Sequence, residues 1–356
     1  MKNCWTKEQA WEWYKRKEWI VGCNFVPSDC INSIEIWQES GFERVMETVS
    51  IELKLAQSIG MNSVRMISPF YVWKYQRDGF IERIDNFLNI ASVHGITLMP
   101  VLFDDCCVPK ELWREPSFGT QPEPEPGHHG GMITAPFSGS KEVGYNLCDD
   151  KENWPLIEEY VHDLLSSFGK DNRILAWDIW NEPGNNNRGS MSLEFMVRAF
   201  EIARAENPIQ PLTAGPWEFG DDYLKPYQGL SGVSEIEKKA IEISDIISFH
   251  YYGSLEYTKK LIEELKVYKR PLLVTEWLHR PFNNNIITHM PLFKKNGIGC
   301  YNWGLVNGKT QTNEPWDIIR GIEGLDLSLW QHDLFKKDMT PYNEEEINYF
   351  KELTIK

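Results

Sequence analysis

Short apolar runs alternate with longer amphipathic stretches from about residue 19 to residue 305. The runs are WIVGCNF (19–25), SVRMIS (63–68), TLMPVLF (97–103), ILAWDIW (174–180), PLTAG (211–215), IISFHYY (246–252), PLLVTEW (271–277) and GCYNWGL (299–305). Hydrophobic without alternation, they predict parallel strands buried on both faces. Residues 41–60, 80–95, 153–169 and 256–268 carry apolar positions at helical spacing, and Gly95 supplies a C-terminal stop for the second of them. Eight strands with intervening helices predict an α/β fold of the (β/α)8, or TIM-barrel, type. An open dinucleotide-binding sheet would want a G-x-G-x-x-G after the first strand, and none is there. A single domain over residues 1–356 is expected, with an amphipathic helix over 6–17, the barrel over roughly 19–313, and a closing segment over 314–356 that ends in a short helix.

One connection breaks the rhythm. Residues 104–153, after the third strand, are rich in Pro, Gly and polar side chains. A loop of that length inside a compact domain is usually functional or disordered. It leaves the carboxyl end of a barrel strand, the face on which barrel active sites are built. It is therefore expected to form a cleft wall or a lid. Within it, the PEPEP stretch (122–126) reads as a stiff spacer. The adjacent His128 and His129, flanked by glycines and without the spacing of a metal motif, read as a solvent-exposed pair ahead of a sugar contact or a metal ligand.

Composition narrows the partners. The chain has 356 residues and a formal net charge of -15, with no basic stripe, so nucleic acid and anionic membranes are poor partners. No apolar run approaches the roughly 20 residues a membrane helix needs. A neutral substrate suits the charge, and an aromatic content of 13% permits stacking on sugar rings although most rings will be core. The seven cysteines are scattered and lack zinc spacing. They read as reduced thiols of a cytosol-like compartment, with a bridge from Cys106 or Cys107 to Cys148 as the alternative. The N-terminus has charge and tryptophan where a signal peptide needs an apolar core, so a cytoplasmic location is expected as the chain stands, and a secreted one where a leader has been removed.

Two acids stand at matching strand ends. Glu182 follows the fourth strand in AWDIWNEPGN, and Glu276 ends the seventh in LLVTEWLHR. In a barrel these positions face each other across the mouth, which is where a proton-transferring carboxyl and a nucleophilic carboxylate would have to meet.

Asn-Glu-Pro after strand four, His-x-Tyr on strand six, Glu on strand seven and Trp on strand eight together resemble the clan of retaining (β/α)8 glycoside hydrolases. That clan includes the cellulase-like family 5 enzymes and the mannanase-like and xylanase-like branches. The resemblance spans the barrel, from Trp19 to about Lys309. It implies a retaining β-glycoside hydrolase acting on a plant-type or other neutral polysaccharide or oligosaccharide, with no cofactor and no metal. Glu182 then matches the acid/base, Glu276 the nucleophile and Asn181 the residue that bonds the sugar 2-hydroxyl. Arg65 matches an arginine that holds the nucleophile ionised, Tyr252 a tyrosine that donates to it, and Trp303 the aromatic platform under the sugar. His250, two residues before Tyr252, points to the same side of strand six. Trp217, after strand five, is a candidate subsite residue, and Asn24 and Asp104 are weaker ones. The rim segment NWGLVNGKTQTNEPWD (302–317) departs from typical cellulases. Its Lys309 is a candidate sugar contact or a partner of Asp317.

Plainer readings stand beside these. Either glutamate alone could be a structural acid at a loop start, Arg65 an ordinary ion-pair partner and His250 a satisfied core histidine. Trp177, Trp180 and Trp277 read as packing residues. Two other functions fit the same motifs. One is an exo-acting β-glycosidase or transglycosylase on short oligosaccharides, and the other is a carbohydrate-binding barrel that has lost turnover.

Overall fold

The computed structural model describes residues 4–131 and 141–355. Eight parallel strands form the barrel: β1 (Val21–Asn24), β2 (Ser63–Ile67), β3 (Thr97–Asp104), β4 (Trp177–Asn181), β5 (Leu212–Gly215), β6 (Ile247–His250), β7 (Leu272–Trp277) and β8 (Gly299–Trp303). Each lies inside or one residue beyond an apolar run, and nearly every strand residue is buried, as parallel strands covered on both faces require. Ladder pairing runs β5-β4-β3-β2-β1-β8-β7-β6. The ring is completed between β5 and β6 by bonds that are partly side-chain. Asp245 N donates to Leu212 O at 2.8 Å, and His250 N donates to Pro216 O at 2.9 Å. Between them Thr213 Oγ1 bonds Ile246 O at 2.9 Å and receives Ser248 N at 3.1 Å.

Ten α-helices are described: α1 (Lys7–Lys15), α2 (Ser33–Trp37), α3 (Phe42–Ser58), α4 (Phe70–Val93), α5 (Trp154–Phe168), α6 (Leu193–Ala205), α7 (Glu235–Ile243), α8 (Leu255–Leu265), α9 (Ile286–Asn296) and α10 (Glu344–Thr354). Their packing follows the sequence pattern. α3 buries Val45, Met46, Val49, Leu53 and Ala56, one stripe at three- and four-residue spacing. α1 begins at a reciprocal cap between Thr6 and Gln9. Its Ala10 packs into a cluster with Ile20, Leu175, Ala176, Ile246 and Leu273, residues at or just before strand starts, so the helix covers the amino end of the barrel. Among the described residues no helix is long and apolar enough to cross a membrane.

Three expectations need correction. α4 starts ten residues before the expected position, because a kink at Gln76 and the polar run around Gly79 disrupt the apolar spacing of its first turns. Helices α2, α6, α7 and α9 were not individually expected; α9 carries Pro291 inside it, and α2 is only five residues long. The thiols do not form the alternative bridge. Cys106 Sγ faces Glu182, Cys107 Sγ faces Asp105 O and Cys148 Sγ faces Ser192.

The long loop after β3 is described up to Gly131 and again from Lys141; the expectation for its middle, 132–140, lies outside the described residues. The segment after β8 does not join the sheet. It lies over the β7–β8 rim, where Leu334 N bonds Leu305 O and Val306 pairs with Phe335. Its α10 then runs down the outside, and Thr354 Oγ1 bonds Ile59 O.

Candidate active site

The carboxyl ends of β2, β4, β6, β7 and β8 converge on one buried polar cluster. β4 ends in Asn181, and the next residue, Glu182, has φ +42°, a left-handed conformation that a residue with a Cβ adopts only under constraint. The constraint is visible. Gly184 has φ +87°, and a Cβ there would meet Gly189 O at 2.8 Å. Gly184 N is bonded by Asp105 Oδ2 at 2.8 Å, and Asp105 is itself ion-paired to buried Arg188, which also holds Asp149. This turn directs Glu182 into the mouth.

Arg65 is the hub on the other side. Its Nη1 donates to Glu276 Oε1 at 2.9 Å and Asn24 Oδ1 at 2.6 Å. Its Nε donates to Asp178 Oδ2 at 2.9 Å, and its Nη2 to Asn181 Oδ1 at 2.6 Å. The second oxygen of Glu276 accepts from Tyr252 Oη at 2.8 Å and Trp303 Nε1 at 3.0 Å. A register shift between β6 and β7 sets His250 opposite Glu276, as bulges beside active sites often do. His250 Nδ1 lies 2.7 Å from Glu182 Oε1 and 3.5 Å from Glu276 Oε2. Its Nε2 is buried beside Gly215 without a partner, so the ring proton sits on Nδ1 and is donated to Glu182. Burial drives its pKa down to about 3, so the ring is neutral.

One ligand atom from each of Glu182, His250 and Glu276 lies within 4.8 Å of the others. Burial raises the pKa of both carboxyl groups. They differ in what opposes the burial. Glu276 has the Arg65 cation against it, whereas Glu182 is bonded by neutral donors, Cys106 Sγ at 3.0 Å, Asn185 Nδ2 and His250. The same three residues are the candidate donor set for a cation, but Arg65 already occupies one oxygen of Glu276 and N–H, O–H or S–H donors take the rest. That chemistry suits two carboxyl groups acting directly.

Of the residues singled out in the sequence, Glu182, Glu276, Arg65, Asn181, His250, Tyr252 and Trp303 are brought into this one network, with Asn24 and Asp104 at its edge. Asp104 accepts from Asn181 Nδ2 at 2.7 Å. Trp217 is not part of the network: it is partly buried, its backbone N is held by Glu237 and its ring lies under Lys225. Lys309 pairs with Glu35 at 3.2 Å, while Asp317 pairs with Arg320. The His128–His129 pair is half-buried rather than exposed. His128 Nδ1 donates to Glu314 O at 2.9 Å, its Nε2 receives Trp316 Nε1, and the His129 ring lies 5.1 Å from that of Trp303. Trp177, Trp180 and Trp277 are core, and Trp180 stacks on Phe103.

Cys106, Asn185 and Asp178 were missed. Asp178 had a signal, an acid inside an apolar strand run. Burial raises its pKa to about 6 despite Arg65. Cys106 and Asn185 had none, since nothing local marks which loop atoms meet Glu182.

No family model and no curated protein sequence matches the chain. Its fold is shared with solved glycoside hydrolase structures. GH5_18 from Streptomyces cattleya, solved in complex with GlcNAc, is 13% identical with a TM-score of 0.59, over 95% of this chain and 80% of that one. The exo-β-1,4-mannosidase Op5Man5 from Opitutaceae bacterium strain TAV5 is 15% identical with a TM-score of 0.58, over 95% of this chain and 59% of that one. The β-mannanase from the blue mussel Mytilus edulis is 14% identical with a TM-score of 0.55, over 88% and 94%.

Proposed function

We propose that this barrel is a retaining β-glycosidase that acts on neutral oligosaccharides or polysaccharides by double displacement. The observation that carries the proposal is the pair of carboxyl groups from β4 and β7, with oxygens within 4.8 Å and a cation against only one of them. Retaining pairs stand about 5–5.5 Å apart and inverting pairs about 6.5–9.5 Å, the wider gap leaving room for a water. The fold neighbours include a β-mannanase and an exo-β-1,4-mannosidase, which supports a β-linked hexose chain as the substrate class.

Glu182 is the proton donor. As the bond between the anomeric carbon and the bridging oxygen breaks, its proton passes to that oxygen and the alcohol departs. Glu276 attacks the anomeric carbon and becomes a glycosyl ester. Glu182, now a carboxylate, takes a proton from water. The water oxygen displaces Glu276, and the sugar leaves with its original configuration. Arg65, Tyr252 and Trp303 keep the attacking oxygens charged and aimed. Asn181, held between Arg65 and Asp104, is the group for the 2-hydroxyl. A binding barrel without turnover would need neither a proton donor nor a second carboxylate so near it.

The test is kinetic. Glu182→Gln should lower turnover of a natural substrate by about 10²–10⁴-fold. It should slow a nitrophenyl glycoside much less, because nitrophenolate leaves without a proton. Glu276→Gln should abolish turnover of both. Wild-type rates in either variant on a natural substrate would exclude the assignment.

A further inference from the structure

The stretch from residue 119 to residue 131 does not hang over the barrel as a free loop. It is fixed at both ends. Near its start Gly119 and the side chain of Gln38, just past α2, exchange two hydrogen bonds of 2.7 and 2.8 Å, and Asn32 Nδ2 bonds Gln121 Oε1. At its end Gly130 N donates to Thr310 O at 2.8 Å, and Gln311 bonds both Gly127 N and Glu125 O. Gly130 is wedged against Ile31 and Lys309 O, and the Lys309–Glu35 ion pair ties the β8 rim to α2. These contacts make one continuous wall from the β1 side of the mouth to the β8 side.

The wall ends against the reaction centre. His129, at φ +55°, turns its ring edge onto Trp303, whose Nε1 is bonded to Glu276. Behind it His128 is locked by Glu314 and Trp316, and Trp316 packs edge-on against Tyr252 at 5.1 Å. Trp303, His129, His128, Trp316 and Tyr252 thus form a cup on the Glu276 side, while Glu182 faces the opposite side among Cys106 and Asn185. A sugar placed in the cup for attack by Glu276 would have its leaving group on the Glu182 side, and a further unit on its other end would meet His129.

The charge of the cup is also set. Burial keeps His128 and His129 neutral at pH 7. Among the described residues the cations around it are engaged, Arg65 with Asp178 and Glu276, Lys309 with Glu35 and Arg280 with Glu346. A carboxylate on the bound sugar would face Glu276 without a compensating cation.

We infer that the wall ending at His128–His129 makes the site a closed pocket for one uncharged terminal hexose, so that the enzyme removes single units from the non-reducing end of short neutral β-linked chains. This rests on the glycosidase reading above. The experiment uses the full chain with 4-nitrophenyl β-glucoside, β-mannoside, β-galactoside and β-glucuronide, and with borohydride-reduced cellotetraose and mannotetraose. The expected first products from a cleaved tetrasaccharide alditol are a monosaccharide and a trisaccharide alditol. The glucuronide should be cleaved about 100-fold or more slowly than the best neutral glycoside, as expected of a charge placed against like charge. His129→Gly keeps the left-handed turn, which glycine adopts freely. It should raise the ratio of disaccharide to monosaccharide released by about tenfold, the scale of a single steric exclusion. Early release of disaccharide by the wild type, rapid cleavage of the glucuronide, or an unchanged product ratio in His129→Gly would overturn the closed pocket while leaving the glycosidase reading intact. Failure of the wild type to cut any of the neutral β-hexosides would overturn the glycosidase reading itself.

Discussion

Glu182 and Glu276 carry the same functional group, with side-chain exposures of 12% and 7%, and the different roles proposed for them rest on their neighbours. A guanidinium bonded at 2.9 Å favours the ionised form of Glu276 and reaches Glu182 only through space, where neutral donors make the contacts. Among those donors Cys106 is the least expected. Burial and the negative charges of Asp104 and Glu182 hold its thiol well above its usual pKa, so it stays an S–H donor to Glu182 Oε2. Asn185 and Asn181 in turn donate to its sulfur. Around Glu182 the other titratable or charged groups are His250, Glu276, Arg65, Tyr252 and Asp104. Cys106, like Asn185, bonds Glu182 and makes no bond to Glu276, so its exchange leaves the hydrogen bonds of the nucleophile in place. Its bond favours the carboxylate, so it lowers the pKa of Glu182, opposing the burial that raises it. The acid must be protonated to work, and activity falls as pH rises through that pKa. Cys106→Ala should therefore move the alkaline limb of kcat/KM to higher pH, and Cys106→Ser should restore it. A limb that does not move in a pH profile of the alanine variant would remove Cys106 from this role. The glutamates were legible in the sequence because strand position and neighbouring motifs mark them. Cys106 was not, because its meaning depends on a contact across 76 residues of chain.

At the scale of elements, the strands were legible because a parallel strand covered on both faces leaves an unbroken apolar run, and all eight left one. What the runs do not encode is register. Shifts between β4 and β5, β6 and β7, and β7 and β8 decide which side chains reach the mouth, and the second of them sets His250 beside Glu276. Nor did the pattern show how the β4–α6 turn is held. Arg188, fully buried between Asp105 and Asp149, supports it, and Asp105 bonds the backbone two residues past Glu182. Arg188→Ala would leave buried carboxylates without their cation, which typically costs about 3–5 kcal/mol. Urea unfolding should show that loss, together with a fall in kcat larger than any change in KM. Stability within about 0.5 kcal/mol of wild type would mean that the network is not needed, as for an ordinary surface substitution.

For the molecule as a whole, the amino end of the barrel is covered by α1 while the carboxyl end is crowded by the loops after β3 and β8. The crowding brings neutral histidines together. His250 and His279 are depressed to about 3, His289 on the outer helix α9 to about 4, and His332 well below its usual value, in each case chiefly by burial. Their folded pKa lies below the unfolded value near 6.5, so the stability they contribute is full above pH 6.5 and is lost as pH falls toward 4 and 3. In that window the unfolded chain takes up protons that the folded one refuses, about 1.4 kcal/mol per pH unit for each fully buried ring. Buried carboxyl groups with raised pKa, such as Asp178, act in the opposite sense over the same range, so the ring contribution is read by difference: the stability of wild type relative to His289→Asn should fall by about 1.4 kcal/mol per pH unit from about pH 6.5 down to pH 4.5. A difference that stays flat over that range would mean that the His289 ring is not held neutral by burial. The sequence reading placed His128 and His129 in solvent because a Gly-flanked pair in a polar loop carries no sign of the distant rim it packs against.

The proposed assignment has Glu276 attack the sugar and Glu182 supply the proton. Its most direct test is to incubate the full chain with a 2-deoxy-2-fluoro β-hexosyl fluoride matched to its best nitrophenyl substrate and to measure the intact and peptide masses. A single fluoroglycosyl adduct is expected on the peptide that contains Glu276, formed in wild type and absent in Glu276→Gln. An adduct on another residue, or steady turnover of substrate with inversion and no adduct at all, would contradict it.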